Sequence, residues 1–83
     1  MSAEREFTVL GREWCHLCHE LVAALEPLAA ELGWTIRVLD VDADPALEAQ
    51  WDELVPVVLA DGRELCHYHL DEAAIRAHAR ELG

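Results

Sequence analysis

The stretch Trp14-Cys15-His16-Leu17-Cys18-His19 limits what this chain can fold into more than any other. It follows a short apolar run, Phe7-Thr8-Val9-Leu10, that stops at Gly11 and reads as a strand. It opens a segment in which Leu17, Leu21, Ala24, Leu25, Leu28 and Leu32 recur at helical spacing. A strand thus feeds a helix whose first turn carries two cysteines. A thiol at that place meets unpaired backbone N–H groups and the positive end of the helix dipole. Both lower a thiol pKa and supply thiolate at neutral pH. Cys18 lies on the same turn and can attack a mixed disulfide formed at Cys15, releasing the product. His16 would stabilise that thiolate further when protonated; the plainer reading is a solvent-exposed loop residue. Trp14 can shield the pair and pack on a substrate, or can be ordinary core.

The rest of the chain supplies the remaining elements. Gly33 stops the long helix just past Leu32, and Pro27 inside it is expected to kink it near Ala23. Trp34 to Leu39 mostly alternates, with Trp34, Ile36 and Val38 on the buried side of an edge strand. Asp44-Pro45 reads as a helix cap followed by proline at the first helical position. A short helix then runs to about Trp51, with Leu47 and Trp51 one turn apart. Val57-Val58-Leu59 is apolar on both faces and suits a central strand. Asp61-Gly62 is a hairpin signal, and Glu64 to Tyr68 is the returning edge strand. Asp71 caps a last helix, Leu70 staples onto Ile75, and Ile75, Ala79 and Leu82 form its buried stripe, with His78 at the core boundary. The order βαβαββα is a small α/β sandwich. It is read as one domain over residues 5–83, with residues 1–4 a flexible N-terminus.

Composition narrows the partners. With 83 residues there is room for one small domain, and 53% apolar residues suffice for a packed core. A formal net charge of −11 repels phosphate backbones and anionic bilayers, so neither nucleic acid nor membrane is expected as a partner. Asp40, Asp42, Asp44, Glu48, Asp52 and Glu53 are read as a solvated face, or as a surface that selects a basic partner. The N-terminal residues lack the apolar stretch of a signal peptide, and no apolar run is long enough to span a bilayer. A cytoplasmic location follows as the expectation. In a reducing compartment, a Cys-x-x-Cys pair is catalytic or metal-binding more often than a structural staple.

Two other chemistries fit the same six residues. Cys15-x-x-Cys18-His19 matches the attachment pattern of a c-type haem, which normally requires export. Cys15, Cys18 and His19 can also be joined by Cys66 or His67 around zinc. The adjacent pair Cys66-His67 would point to opposite faces of a strand, which works against that set. Cys66 itself reads as a small buried apolar side chain, with a resolving role as the alternative.

The chain resembles glutaredoxin-like members of the thioredoxin-fold superfamily from Phe7 to Leu82. Trp14-Cys15-His16-Leu17-Cys18 is similar to the thioredoxin Trp-Cys-x-x-Cys, and Arg12 matches a basic position of glutaredoxins. Leu54-Val55-Pro56-Val57 resembles the family's cis-proline segment. The resemblance implies a thioredoxin-like fold with a mixed four-stranded sheet flanked by helices, and a thiol–disulfide oxidoreductase. It implies that Cys15 attacks, that Cys18 resolves, and that Arg12 favours the thiolate. By the same resemblance Pro56 is cis and faces the cysteines, and the Val55 backbone pairs with an extended peptide or with glutathione. Protein or small disulfides would be substrates, glutathione a possible co-substrate, and no resident cofactor or metal is implied. The non-catalytic alternative is a binding module of the same fold, or a carrier holding metal on its thiolates. One departure stands out. Glutaredoxins usually carry Gly-Gly-x-Asp after the fourth strand; here the stretch is Tyr68-His69-Leu70-Asp71, which keeps only Asp71 as a glutathione contact.

Overall fold

Phe7 and Val9 pack to one side of their strand and Leu10 to the other, and this alternation divides the molecule into layers. The computed structural model describes residues 5–81. The expected flexible tail at residues 1–4 and the expected core contact of Leu82 lie outside the described residues. The strands are β1 (Glu6–Gly11), β2 (Thr35–Asp40), β3 (Val57–Ala60) and β4 (Arg63–His67). They form one sheet in the order β2-β1-β3-β4. β1 pairs parallel with β2 and antiparallel with β3, and β3 pairs antiparallel with β4. β3 is thus central, and β2 and β4 are edges, as the apolar patterns indicate.

The helices are α1 (His16–Leu32), α2 (Pro45–Trp51) and α3 (Glu72–Glu81). Leu21, Leu25 and Leu28 of α1 and Ile75 of α3 meet Phe7, Val9 and Val58 on one face of the sheet. Leu47 and Trp51 of α2 pack with Leu10, Val41 and Val57 on the other. Full burial of a side chain such as Leu25 contributes about 1.5–3 kcal/mol relative to exposure. Trp34 lies just before β2 and is buried, its ring stacked on Phe7 at 4.4 Å. His78 meets the edge of Trp34 at 5.8 Å and is itself buried.

The local signals end where expected. Gly33 sits at φ 75°, and the N–H groups of Gly33 and Trp34 donate to the carbonyls of Ala30 and Ala29, closing α1. The Asp44 carboxylate accepts from Ala46 N–H at 2.9 Å, with Pro45 opening α2. Asp61 and Gly62 both take positive φ, as a tight hairpin turn requires. The Asp71 carboxylate accepts from Ala74 N–H at 3.1 Å and caps α3.

Four expectations are adjusted. β1 does not stop before Gly11 but includes it. α1 runs unbroken through Pro27, which lies on the exposed side, so the carbonyl it frees at Ala23 meets water. Val38 is 58% exposed although it shares a face with Ile36, because α1 leaves the end of this edge strand open. β4 ends at His67, and Tyr68 turns out of it at φ 66°.

Candidate active site

Cys15 is the residue that caps α1. Its backbone is extended, at φ −87° and ψ 110°, and its N–H donates to the Arg12 carbonyl at 3.1 Å. Its carbonyl accepts from His19 N–H at 3.2 Å, the first bond of the helix. The side chain takes the place usually held by a serine or aspartate oxygen: Cys15 Sγ accepts from the Cys18 N–H at 3.2 Å. A sulfur so placed is favoured in its negative form by that donor and by the helix dipole.

Cys18 follows one turn later. The two sulfurs are at disulfide distance, with their Cα atoms 5.2 Å apart. Cys15 is half-buried, whereas Cys18 is only 4% exposed. The pair therefore has an outer and an inner sulfur. The inner one needs Gly11: a Cβ there would lie 3.0 Å from Cys18 Sγ. Cys18 also forms part of the wall of a groove of about 340 Å³ between α1 and the open end of β2.

The remaining candidates sit at different distances from this chemistry. Trp14 is 77% exposed, so it is not core; it stands beside Cys15 with the Arg12 guanidinium 5.8 Å from its ring centre. Arg12 is largely covered, and its charge is already matched. Its Nε donates to Asp42 at 3.1 Å, its Nη1 to the Asp52 carbonyl at 3.0 Å, and its Nη2 to the Asp52 carboxylate. Burial opposes the charge on Arg12, but Asp42 and Asp52 outweigh it and hold the guanidinium pKa above its ordinary value. Two of the acidic residues expected on a solvated face thus act as a clasp between the start of the cysteine loop and the ends of the segment carrying α2. His16 points outward and pairs with Glu20 at 3.2 Å. The His19 ring donates to the Glu13 carbonyl and folds over the loop instead.

The Val55–Pro56 peptide bond is cis. Pro56 is buried and Val55 half-buried. The Pro56 carbonyl accepts from Tyr68 N–H at 2.8 Å. Among the described residues the Val55 N–H and carbonyl enter no backbone hydrogen bond. Tyr68 connects this segment to the cysteine turn, because it shares a shallow groove with Leu17 and Glu20 of α1. Asp71 is at the far end of that groove's Tyr68-His69-Leu70 wall and is committed to capping α3.

Cys66 packs against the core cluster on the face of α1 and α3. Burial pushes its thiol pKa up; a backbone N–H of Asp71 works against this, and the carboxylates of Asp71 and Glu64 add to it. Such a thiol stays protonated at neutral pH and is a poor nucleophile. Among the described residues, no group of three His, Cys, Asp or Glu side chains is arranged to hold a metal ion. No described helix is long and apolar enough to cross a membrane.

Sequence reasoning missed two contributors, the close approach of Gly11 to Cys18 and the Asp42–Asp52 clasp on Arg12, and marked Tyr68 only as a departure from Gly-Gly-x-Asp. Gly11 left a signal, since a glycine that ends a strand just before a cysteine turn often marks a close approach.

Comparison with known proteins agrees with this geometry. A family model described as a glutaredoxin-like domain (DUF836) matches residues 6–79. An uncharacterised protein of Mycobacterium tuberculosis is 36% identical over 74 residues, covering 83% of this chain and 76% of that protein. The solution structure of a protein from Nitrosomonas europaea is similar, with a TM-score of 0.83, 36% identity and 94% of each chain covered. Thioredoxin 1 of Thermosipho africanus shares the fold, with a TM-score of 0.64 at 19% identity, covering 92% of this chain and 96% of that one.

Proposed function

The chain belongs to the glutaredoxin-like domain family, and from that premise we propose that it is a thiol–disulfide oxidoreductase working through Cys15 and Cys18. The observation that carries the reading is the asymmetry of the pair. Cys15 Sγ accepts a backbone N–H at a helix start and is partly open, while Cys18 is buried one turn behind it.

The reaction proceeds in two exchanges. In the reduced protein the Cys15 thiolate attacks one sulfur of a substrate disulfide. A Cys15–substrate bond forms, the substrate S–S bond breaks, and one substrate thiolate leaves. Cys18 then gives up its proton to solvent, and its thiolate attacks Cys15 Sγ. The internal disulfide forms and the second substrate thiolate leaves. Two electrons have passed from the dithiol to the substrate, and an external thiol reductant returns the protein to the dithiol. The cycle is placed in the cytoplasm, where thiols are kept reduced.

The surroundings support substrate binding. The unpaired Val55 backbone groups can receive an extended segment in the manner of an added strand, beside Pro56. The exposed Trp14 ring offers apolar contact at the edge of the cysteines. Substrates are protein or small disulfides. Arg12 shapes the loop before Cys15 through its clasp with Asp42 and Asp52.

Trapping tests the assignment of roles. Cys15→Ser abolishes exchange with a disulfide substrate. Cys18→Ser accumulates a mixed disulfide at Cys15, visible by intact mass. Exchange that persists in Cys15→Ser, with nothing trapped in Cys18→Ser, would overturn the reading.

A further inference from the structure

Tyr68 holds its backbone at φ 66°. This left-handed conformation is open to glycine and strained for a bulky side chain. The other non-glycine residue at positive φ, Asp61, is in the hairpin turn, which requires it. Tyr68 is the central residue of a tight turn in which the His69 N–H donates to the His67 carbonyl at 2.7 Å, and further contacts fix it there. The Tyr68 N–H donates to the Pro56 carbonyl at 2.8 Å, and its phenol donates to the Glu53 carbonyl at 2.7 Å. These two carbonyls bracket Leu54 and Val55. The ring also rests edge-on against His67 at 4.7 Å. With all these contacts the residue is still 40% exposed, so it forms part of the surface beside Val55 and Pro56.

Its position also limits the space. The groove it shares with Leu17, Glu20, Leu21 and Leu70 is about 120 Å³. Pockets that enclose small molecules are about 300–1,000 Å³. Glu20 and His69 are the titratable groups lining that groove beside Tyr68, Glu20 is paired with His16 at 3.2 Å, and the Arg12 guanidinium beside the cysteine loop is already held by Asp42 and Asp52.

We infer that Tyr68 sets the substrate class of the dithiol, excluding the γ-glutamyl arm of glutathione and admitting extended polypeptide disulfides. This rests on the oxidoreductase reading above. Glutathione carries two carboxylates, which bind well where cations or free N–H groups receive them. The groove beside Tyr68 is lined by no lysine or arginine; it offers an acid already paired with His16, the His69 ring and an aromatic wall instead. An extended polypeptide asks less of it. Backbone hydrogen bonds to Val55 hold such a chain, and an apolar side chain can lie on the Tyr68 ring.

The test compares one peptide in two forms, with an internal disulfide and with a cysteine–glutathione mixed disulfide. Initial reduction rates are measured with dithiothreitol as reductant, over the rate of reductant alone. The proteins are wild type, Tyr68→Gly, Tyr68→Asn and Tyr68→Phe; Gly and Asn both accept the left-handed backbone, so either serves if the other folds poorly. Cys15 alkylation by iodoacetamide is the control for an intact thiolate. Wild type is expected to prefer the internal disulfide. Gly and Asn should move the rate ratio toward the glutathione adduct by about tenfold, the scale of steric discrimination in a pocket, with Cys15 alkylation unchanged. Tyr68→Phe keeps the ring and should stay near wild type. A ratio that does not move in Gly or Asn overturns the role of Tyr68 and leaves the oxidoreductase reading standing. Wild type inactive on both forms overturns both.

Discussion

Replacing Gly11 by alanine tests how tightly the inner sulfur is packed. Where the backbone accepts it, Gly→Ala stabilises by about 0.4–1 kcal/mol by restricting the unfolded chain. Gly11 lies in β1, so its backbone conformation gives no reason for the opposite result. Space does. The new Cβ would stand 3.0 Å from Cys18 Sγ and 3.1 Å from Cys18 Cβ. Comfortable carbon contacts are about 3.5–4.0 Å, so the start of α1 must retreat by roughly half an ångström. Both residues are buried, and overpacking of this kind costs about 1–3 kcal/mol. Set against the unfolded-state gain, a net loss of about 1 kcal/mol is expected. Urea denaturation of the reduced protein measures it, and for a domain of this size it corresponds to about 4–8 °C in melting temperature. Moving Cys18 away from β1 should also slow release of a mixed disulfide from Cys15. Gly11→Ala at least as stable as wild type, with release unchanged, would refute the steric reasoning.

Three further outcomes are expected. His78 is buried with both ring nitrogens unpartnered among the described residues, so His78→Leu should raise stability by about 1 kcal/mol in urea denaturation, since unsatisfied buried polar atoms cost about that or more. Cys66, its thiol pKa raised by burial, should be alkylated far more slowly than Cys15 at neutral pH and catch up only in alkali, read by mass after timed quenching. The Arg76 guanidinium bonds Glu31 at 2.6 Å and holds its carboxyl below the usual carboxylate range. A carboxylate with a depressed folded pKa stabilises above its unfolded pKa and loses that contribution as pH falls through the folded one. Acid denaturation curves should therefore be steeper for wild type than for Arg76→Gln below the ordinary Glu pKa of 4.5, and salt should narrow the difference.

What the sequence made legible was mostly local. A strand, a cysteine pair and a helical stripe within residues 7–32 place the dithiol at a helix start, because capping and periodicity act over a few residues. The hairpin at Asp61-Gly62 and the caps at Asp44 and Asp71 are of the same kind. Features set by the tertiary path were not legible. Arg12 finds Asp42 and Asp52 at separations of 30 and 40 residues, so its neutralised charge could not be read from its neighbours. Val38 has the pattern of a buried residue and is exposed because of where α1 ends its cover. Tyr68 was recognised as a departure from Gly-Gly-x-Asp, but its bonds to Glu53 and Pro56 depend on the loop across from it. The Val55–Pro56 segment was placed through resemblance to a family, since neither spacing nor propensity marks it.

The central claim is that Cys15 and Cys18 form a reversible dithiol, and a redox titration tests it most directly. The protein is equilibrated across glutathione buffers, its free thiols are trapped by alkylation, and each species is counted by intact mass. The account predicts a single two-electron transition in which Cys15 and Cys18 together lose their alkyl labels while Cys66 keeps its own, with little of the Cys15–glutathione adduct. If both thiols remain alkylated at every ratio of glutathione to its disulfide, and also at every ratio of dithiothreitol to its oxidised form, the oxidoreductase account is contradicted.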